Sequence, residues 1–261
     1  MQELMKELPK SLLAPDEPPP VSVHNTNGMS AFLLVADHAG NVIPRSLAEL
    51  GVSEAERAQH IAWDIGIAGV GRFLADALDA TLIQQNYSRL VIDCNRPLDA
   101  ATSIPEISES TPIPGNVGLS AESRVVRARE IFQPYHERIE AELDRRRQAG
   151  RAVAVISLHS FTPVFKGATR PWHVGVLYNR DPRFAHRLMA QLNADKDLFV
   201  GDNVPYMVTD ASDYSIPVHA EHRGLHHVLI EIRQDLIGEE DGQHAWALRL
   251  ARLLPRACAE L

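Results

Sequence analysis

The sequence predicts an α/β fold: a single domain with a mixed, mostly parallel β-sheet that helices cover on both faces. The first observation is a set of continuous apolar runs of strand length, such as residues 31–36 and 152–158. Strands buried on both faces carry such runs, whereas half-exposed strands alternate apolar and polar residues. The second observation is that helical segments separate these runs, as in parallel sheets with helical crossovers. With 261 residues, of which 45% are hydrophobic, the chain is long enough for one large core.

The individual elements follow from the apolar pattern and from the residues that interrupt it. Strands are predicted at residues 31–36, 81–83, 90–92, 152–158, 173–178 and 227–232. In the third of these, Leu90, Val91 and Ile92 form the apolar run, and Pro97 ends the segment. Helices are predicted at residues 54–77, 121–149, 182–193 and 243–254. The second helix is expected to be interrupted or kinked near Pro134.

Two segments are predicted to lack regular structure. Residues 98–118 contain five prolines and glycines and no apolar period, so we expect a long loop, and long loops inside a domain are often functional. Residues 1–22 are rich in proline and are expected to form an arm. This arm leads into a single domain of residues 23–261.

Composition and charge argue against several classes of partner. The net charge of −8 disfavours nucleic acid, because phosphate binding needs clustered lysine and arginine. The one basic run, at residues 145–147, lies among acidic residues and indicates a solvated helix face. No apolar run reaches the roughly 18 residues of a membrane span, and the N-terminal segment lacks the apolar core of a signal peptide. We therefore expect a cytoplasmic protein without a nucleic-acid or membrane partner.

A group of polar side chains lies at the two ends of the predicted strand 90–92. It contains Arg89, Asp93, Asn95 and Arg96. Arginine is the side chain best suited to hold a carboxylate at two points, and an adjacent asparagine adds an amide donor. The alternative is a structural ion pair of Asp93 with Arg89 or Arg96. Both interpretations stay open at this point.

Two histidines follow buried strands and predict a shared metal site. His38 comes after the run 31–36, and His159 comes after the run 152–158. Neutral imidazole is a common zinc ligand, and catalytic zinc takes three protein ligands plus water. The third ligand is either Asn41, three residues after His38, or Asp64. An amide is a poor zinc ligand, whereas Asp64 is chemically suitable but has an equally good role as a helix-capping carboxylate.

A carboxylate within the last predicted strand is a candidate general base. Glu231 stands inside the run 227–232, and a buried carboxylate costs several kcal/mol unless it is paired or functional. The alternative is an ion pair with Arg233 on the same strand face. A cysteine nucleophile is a further alternative, because Cys94 lies inside the polar group and cationic neighbours lower a thiol pKa.

Seven ordered blocks of the sequence resemble the N-formylglutamate amidohydrolase family, over about residues 32–250. The blocks are DHAGNVIP at 37–44, HIAWDIG at 60–66, YSRLVIDCNRP at 87–97, LHSFTP at 158–163, RPWHVG at 170–175, GDNVPY at 201–206 and EIRQDL at 231–236. The family usually begins the first block with glutamate where this chain has Asp37. The resemblance implies a phosphorylase/hydrolase-like, zinc-exopeptidase-like fold, related to carboxypeptidases and aspartoacylase-type deacylases.

The resemblance also implies a cofactor and its ligands. It implies one divalent metal ion, zinc, with His38 as the first ligand and His159 as the later one. Its relatives carry a glutamate three residues after the first histidine, where this chain departs with Asn41. The candidate metal ligands are therefore His38, Asp64, His159 and Asn41.

The reaction that the resemblance implies is the hydrolysis of N-formyl-L-glutamate to formate and L-glutamate, the last step of one histidine-degradation route. Glu231 matches the general base, and Arg89 matches the arginine that polarises the scissile carbonyl. Asn95 and Arg96 match the grip on the substrate carboxylate, to which we add Arg170. Two alternatives are a hydrolase of another N-acyl amino acid and a non-catalytic protein that binds a small dicarboxylate or a peptide terminus.

Overall fold

The apolar runs pair into a seven-stranded mixed sheet at the centre of the protein. A computed structural model describes residues 11–261. The strands of the sheet are β1 (Val21–His24), β2 (Phe32–Ala36), β3 (Thr81–Gln85), β6 (Ala154–Phe161), β9 (Val174–Leu177), β10 (Val200–Asp202) and β11 (His226–Arg233). Their order is β1-β3-β2-β6-β11-β9-β10. The pairs β1–β3 and β11–β9 are antiparallel and the other four are parallel, so the predicted α/β fold with a mostly parallel sheet is confirmed.

Two small hairpins stand apart from this sheet. One consists of β4 (Ile107–Ser108) and β5 (Thr111–Pro112), and the other of β7 (Val164–Phe165) and β8 (Ala168–Thr169). The first lies within the predicted loop 98–118, which otherwise contains turns and one short 3₁₀ helix. Both hairpins contribute side chains to the cleft described below.

Helices and loops cover both faces of the sheet. The α-helices are α1 (Glu54–Arg57), α2 (Ile67–Leu78), α3 (Ala121–Arg127), α4 (Gln133–Gln148), α5 (Arg183–Leu192) and α6 (Glu240–Cys258). Side chains alternate between the two faces: Phe32 and Leu34 belong to the core under α2, α5 and α6, whereas Leu33 and Val35 belong to the core under α4. None of the helices in residues 11–261 combines the length and apolar composition needed to cross a lipid bilayer.

The helix predicted at residues 54–77 is interrupted between α1 and α2. Ser53 and Glu56 form a capping box that starts α1. Gly66, at φ 81°, takes the left-handed conformation that disfavours other residues, and a Cβ there would lie 2.0 Å from the Ile237 carbonyl oxygen. The backbone N–H of Asp64 donates to the His38 carbonyl at 2.9 Å. The interruption therefore carries Asp64 out of a helix and next to His38.

The strand predicted at residues 90–92 was wrong. These three residues are fully buried, but Leu90 and Val91 lie in a turn and Ile92 in irregular backbone, so they form no strand. The Ser88 hydroxyl accepts the Leu90 N–H at 3.1 Å and donates to the Ala62 carbonyl at 2.8 Å. An apolar run requires burial but not a sheet, because local side-chain hydrogen bonds can satisfy the backbone instead.

Other boundaries differ by a few residues. Strand β6 continues to Phe161, so His159 lies inside a strand and not beyond its end. Strands β1 and β10 were not predicted. The long helix 121–149 is present as α3 and α4, joined by a π-helical turn at Ala128–Phe132, and Pro134 lies in the first turn of α4.

Part of the predicted arm, residues 1–10, lies outside the described residues. Its remainder packs against the domain. Leu12 is buried, and the Tyr87 hydroxyl donates to the Pro18 carbonyl at 2.7 Å. The segment enters the sheet at Val21, the first residue of β1.

A buried histidine pair makes folding sensitive to acid. His136 Nε2 donates to the Cys94 carbonyl at 2.9 Å, and His136 Nδ1 lies 2.8 Å from His219 Nε2. Because a carbonyl only accepts, His136 carries its proton on Nε2 and accepts the His219 proton on Nδ1. Burial lowers the pKa of His136 to about 4 and that of His219 to about 3, where the charge of His136 adds to the effect.

We expect this pair to destabilise the fold between about pH 6.5 and 4. Unfolded histidine takes up a proton near pH 6.5, whereas the folded rings stay neutral. Below that pH the unfolded state binds more protons, so the free energy of unfolding decreases as the pH is lowered. The loss is on the order of 2 kcal/mol for each ring at pH 5. Urea unfolding at pH 7 and pH 5 measures it, with His219→Gln compared with the exposed His222→Gln. The pH dependence should shrink only in His219→Gln, and equal pH dependence in the two variants would contradict the assignment.

Candidate metal centre and active site

Three adjacent central strands bring the predicted chemical residues together. Asp37 and His38 follow β2, His159 lies in β6, and Glu231 lies in β11. In the parallel pair β6–β11, Glu231 is the register partner of His159. All four side chains are at least nine-tenths buried. The site thus lies toward the carboxyl ends of parallel strands, where ligands bind in open α/β sheets.

His38, Asp64 and His159 form a group that is able to hold a metal ion. One ligand atom from each lies within 4.8 Å of the others. Asp64 Oδ2 lies 2.9 Å from His159 Nδ1 and 3.5 Å from His38 Nδ1, and the ring centroids are 5.0 Å apart. His38 Nδ1 is buried and has no hydrogen-bond partner among the described residues. Two imidazoles and one carboxylate are a donor set that zinc accepts, so these residues fit the metal that the sequence predicts.

Two further aspartates orient the histidine rings from behind. His38 Nε2 donates to Asp93 Oδ1 at 2.7 Å, which leaves the Nδ1 lone pair facing Asp64. His159 Nε2 lies 3.2 Å from Asp37 Oδ2, and the other Asp37 oxygen accepts the Ser215 hydroxyl at 2.6 Å. Carboxylates behind histidine ligands fix the ring tautomer and raise ligand basicity. The sequence did not predict this role for Asp37, whose position is known only once β2 and β6 are adjacent.

Excess negative charge makes this centre attractive to a cation. Burial by itself raises the pKa of Asp64, but His38 and His159 outweigh it and hold the pKa below the ordinary value. Burial by itself lowers the pKa of His159, but hydrogen bonds to Asp37 and Asp64 outweigh it and raise that pKa well above the ordinary value. The carboxylates thus favour positive charge on the histidines. A bound metal cation would compensate the same negative charges.

Glu231 has the properties of a proton-transfer group. Burial raises its pKa to about 7, against the opposing charge of His159. Its Oε2 atom has no hydrogen-bond partner among the described residues. The predicted alternative, an ion pair with Arg233, is absent because Arg233 pairs with Asp235 at 2.7 Å. A carboxyl group with a pKa near neutrality can both take and return a proton.

Arg89 is held between two of these carboxylates. Its Nε and Nη2 atoms donate to Asp93 Oδ2 at 3.1 and 2.7 Å, and Nη1 lies 3.6 Å from Asp64 Oδ1. The ion-pair interpretation of Asp93 is therefore correct for Arg89. The arginine keeps 25% of its side chain exposed toward the cleft, so it remains able to face a polarised carbonyl.

Of the two residues predicted to hold the substrate carboxylate, Asn95 makes protein contacts through both its side-chain nitrogen and its oxygen, whereas Arg96 is only partly used. The Asn95 amide donates to Asp213 Oδ1 at 3.0 Å, and its oxygen accepts the backbone N–H groups of Tyr214 and Ser215. Asn95 therefore fixes the loop after residue 209. Arg96 uses Nη1 for the carbonyls of Asn95 and Ser212, while its Nε and Nη2 make no hydrogen bond to the described residues. Arg96 lines the cleft, and these two nitrogens are available to a ligand.

Arg170 does not line the cleft itself but contacts two aromatic residues that do. Its guanidinium lies 4.4 Å from the ring centre of Phe165 and 4.7 Å from that of Tyr206. Nη1 donates to the Tyr206 hydroxyl at 2.9 Å. Only 8% of the residue is exposed, so the geometry supports positioning of the two aromatic rings over direct substrate contact.

Two candidates lie away from the centre. Asn41 is exposed and does not line the cleft, so Asp64 is the third member of the group. Cys94 is fully buried, accepts a hydrogen bond from Gln85 at 3.3 Å, and its pKa is raised well above the ordinary value by burial. A protonated, inaccessible thiol is a poor nucleophile.

The centre opens into a cleft of about 400 Å³. Sequence analysis missed four titratable residues that line it: His60, Glu109, Tyr206 and Asp213. The available signals were the sequence blocks HIAWDIG and GDNVPY, which contain His60 and Tyr206, and the irregular segment 98–118, which supplies Glu109.

Comparison with known proteins agrees with this architecture. A model of the N-formylglutamate amidohydrolase family matches residues 30–238. The chain is 30% identical to N-formylglutamate deformylase of Pseudomonas putida over 177 residues, which are 62% of this chain and 65% of that protein. The chain therefore matches just under two thirds of the length of this relative.

Two solved structures resemble the whole fold. One is a gene product of Agrobacterium tumefaciens, with a TM-score of 0.93, 37% identity, and coverage of 95% of this chain and 98% of that one. The other is N-formylglutamate amidohydrolase from Ralstonia eutropha, with a TM-score of 0.66, 18% identity, and coverage of 92% and 97%; this likeness shows a common fold. With the family match covering most of its length, the chain belongs to the N-formylglutamate amidohydrolase family.

Proposed function

We propose that the protein is a metal-dependent amidohydrolase that cleaves the N-acyl bond of an amino acid, with N-formyl-L-glutamate as the reference substrate that the family name indicates. The observation that carries this proposal is the meeting of a buried His–Asp–His group with a carboxyl group, Glu231, whose pKa is about 7. A binding protein would gain nothing from an unpartnered buried carboxyl group, which is costly unless it functions.

The metal would be held by His38, Asp64 and His159, and zinc suits this donor set. When bound, the ion supplies Lewis-acid polarisation of the scissile carbonyl and eases deprotonation of water. Asp37 and Asp93 keep the two imidazole rings in the orientation that this requires.

The chain's own residues would carry the proton and the charges. Glu231 takes the proton of the attacking water and returns it to the leaving amine. Arg89 stabilises the negative charge that develops on the carbonyl oxygen. The free edge of Arg96 receives the substrate α-carboxylate, and Asn95 supports this grip by fixing the neighbouring loop. A cytoplasmic location and a place in histidine degradation stay predictions.

The proposal is tested by assaying the purified protein with and without zinc. N-formyl-L-glutamate, N-formyl-L-glutamine and N-formyl-L-leucine serve as substrates, and released amine is measured. We expect hydrolysis of at least one substrate that a chelator abolishes and zinc restores. No hydrolysis of any of them by zinc-loaded protein would contradict the proposal.

Arg96→Lys is expected to impair recognition of the α-carboxylate. Lysine keeps the charge but lacks the planar two-point fork, and each charge-assisted hydrogen bond contributes roughly 1.5–3 kcal/mol. The value of kcat/KM for N-formyl-L-leucine should fall about 10- to 100-fold, whereas that for N-formyl-L-leucinamide, which lacks the carboxylate, should change little. Equal losses for the acid and the amide would remove Arg96 from this role.

A further inference from the structure

The cleft contains more acidic than basic side chains. Among the described residues that line it, the acids are Asp64, Asp93, Glu109, Asp213 and Glu231, and the arginines are Arg89 and Arg96. Arg89 donates to Asp93 through Nε and Nη2, while its Nη1 lies 3.6 Å from Asp64 Oδ1 and is assigned above to the scissile carbonyl. Of the two lining arginines, Arg96 is therefore the one left for a substrate carboxylate, and its free donors are enough for one. A substrate with two carboxylates would leave one of them without a cation.

Glu109 fixes a negative charge on the cleft wall. It lies at the tip of the hairpin β4–β5, with φ 55°, and its Oε1 atom accepts the backbone N–H of Lys166 at 2.9 Å. Lys166 lies at the tip of the hairpin β7–β8, so this bond joins the two hairpins. Glu109 Oε2 lies 3.1 Å from His60 Nε2, and each side chain is 20% exposed. The carboxylate is thus held in place and does not swing freely in solvent.

His60 does not cancel this charge at neutral pH. Burial lowers its pKa below the ordinary value, although Glu109 opposes the effect. The imidazole is therefore mostly uncharged near pH 7.

The same wall exposes apolar side chains. Ile107 and Met207 line the cleft and are 64% and 62% exposed, and Tyr206 is 42% exposed. Large exposed apolar side chains grouped at a cleft indicate a binding surface for an apolar group.

We infer that Glu109 excludes acidic side chains, so that the substrates are N-formyl amino acids with one carboxylate and an uncharged, preferably apolar, side chain. This inference rests on the proposed function and narrows its substrate class. Glu109 acts by repelling a second carboxylate, while Ile107 and Met207 receive the apolar side chain.

The test compares kcat/KM for N-formyl-L-glutamate, its neutral isostere N-formyl-L-glutamine, and N-formyl-L-leucine. In the wild type, both neutral substrates should exceed N-formyl-L-glutamate by at least about tenfold. Glu109→Gln keeps an acceptor for the Lys166 N–H and removes the charge, so hydrolysis of N-formyl-L-glutamate should rise about tenfold while that of N-formyl-L-glutamine is unchanged. The control is Glu106→Gln, an exposed residue of the same loop, which should keep the wild-type ratios.

Wild-type protein that cleaves N-formyl-L-glutamate as fast as N-formyl-L-glutamine would overturn this inference and leave the proposed function intact. Equal ratios in Glu109→Gln and the wild type, or equal effects of the two variants, would also overturn it. Failure to cleave any of the three substrates with zinc would overturn the proposed function as well. The wild-type comparison decides the matter even if Glu109→Gln does not fold.

Discussion

Glu231→Gln is expected to lower kcat by about 10²–10⁴-fold, the usual contribution of a general acid–base group. Glutamine has nearly the same size but cannot accept the proton of the attacking water. Because Oε2 of Glu231 makes no hydrogen bond within the described residues, the amide should fit without breaking a structural contact. Zinc content and KM should stay within a few-fold of the wild type, since Glu231 is not among the proposed ligands.

The matched control is Glu239→Gln, an exposed residue near the start of α6 whose side chain makes no capping hydrogen bond. It should retain the wild-type kcat. Steady-state kinetics at saturating substrate, combined with metal analysis, separates the possible results. A Glu231→Gln variant with near-normal kcat would move the proton-transfer role to another residue.

Asp64→Asn is expected to abolish stable metal binding. The amide is neutral and is a poor zinc ligand, and the change removes the carboxylate that lies 2.9 and 3.5 Å from the two ring nitrogens. Affinity should fall by at least about 100-fold, because even residues that only orient a ligand contribute 10- to 100-fold. Hydrolysis should fall in parallel and recover only partly at high zinc concentration.

Metal affinity is measured by competition with a chromogenic chelator, and metal content by mass spectrometry after dialysis. The control is Asp99→Asn, an exposed aspartate outside the cleft lining, which should bind metal as the wild type does. Retention of full affinity by Asp64→Asn would show that the group is not the metal centre.

The residues at the centre differ in how far the sequence could predict them. His38, His159 and Glu231 stand out because each interrupts or follows an apolar run, and a polar residue in such a run needs a partner or a function. Their convergence follows from the parallel sheet. Asp64 could not be chosen over Asn41, because the decision depends on a backbone hydrogen bond to His38 and on the break at Gly66.

The remainder depends on contacts between distant segments. Leu90 to Ile92 have the composition of a strand, yet the Leu90 N–H donates to the Ser88 hydroxyl of the same turn and not to a neighbouring strand. Glu109 reaches His60 and Lys166 only because two hairpins meet, and no local pattern encodes that meeting. Strand periodicity identifies which side chains are buried, but not which loops close over them.

The double use of Asp93 has a consequence for how this site can change in evolution. One of its oxygens accepts a hydrogen bond from His38 and the other accepts from Arg89, so the proposed metal ligand and the arginine proposed to polarise the carbonyl share one carboxylate. Substitutions at these three positions cannot be additive, because each alters the surroundings of the other two. Natural variation should therefore replace His38, Arg89 and Asp93 together or leave all three unchanged. The activity lost on substituting Arg89 alone would include both its own missing contact with the substrate and the disturbance of Asp93 and His38.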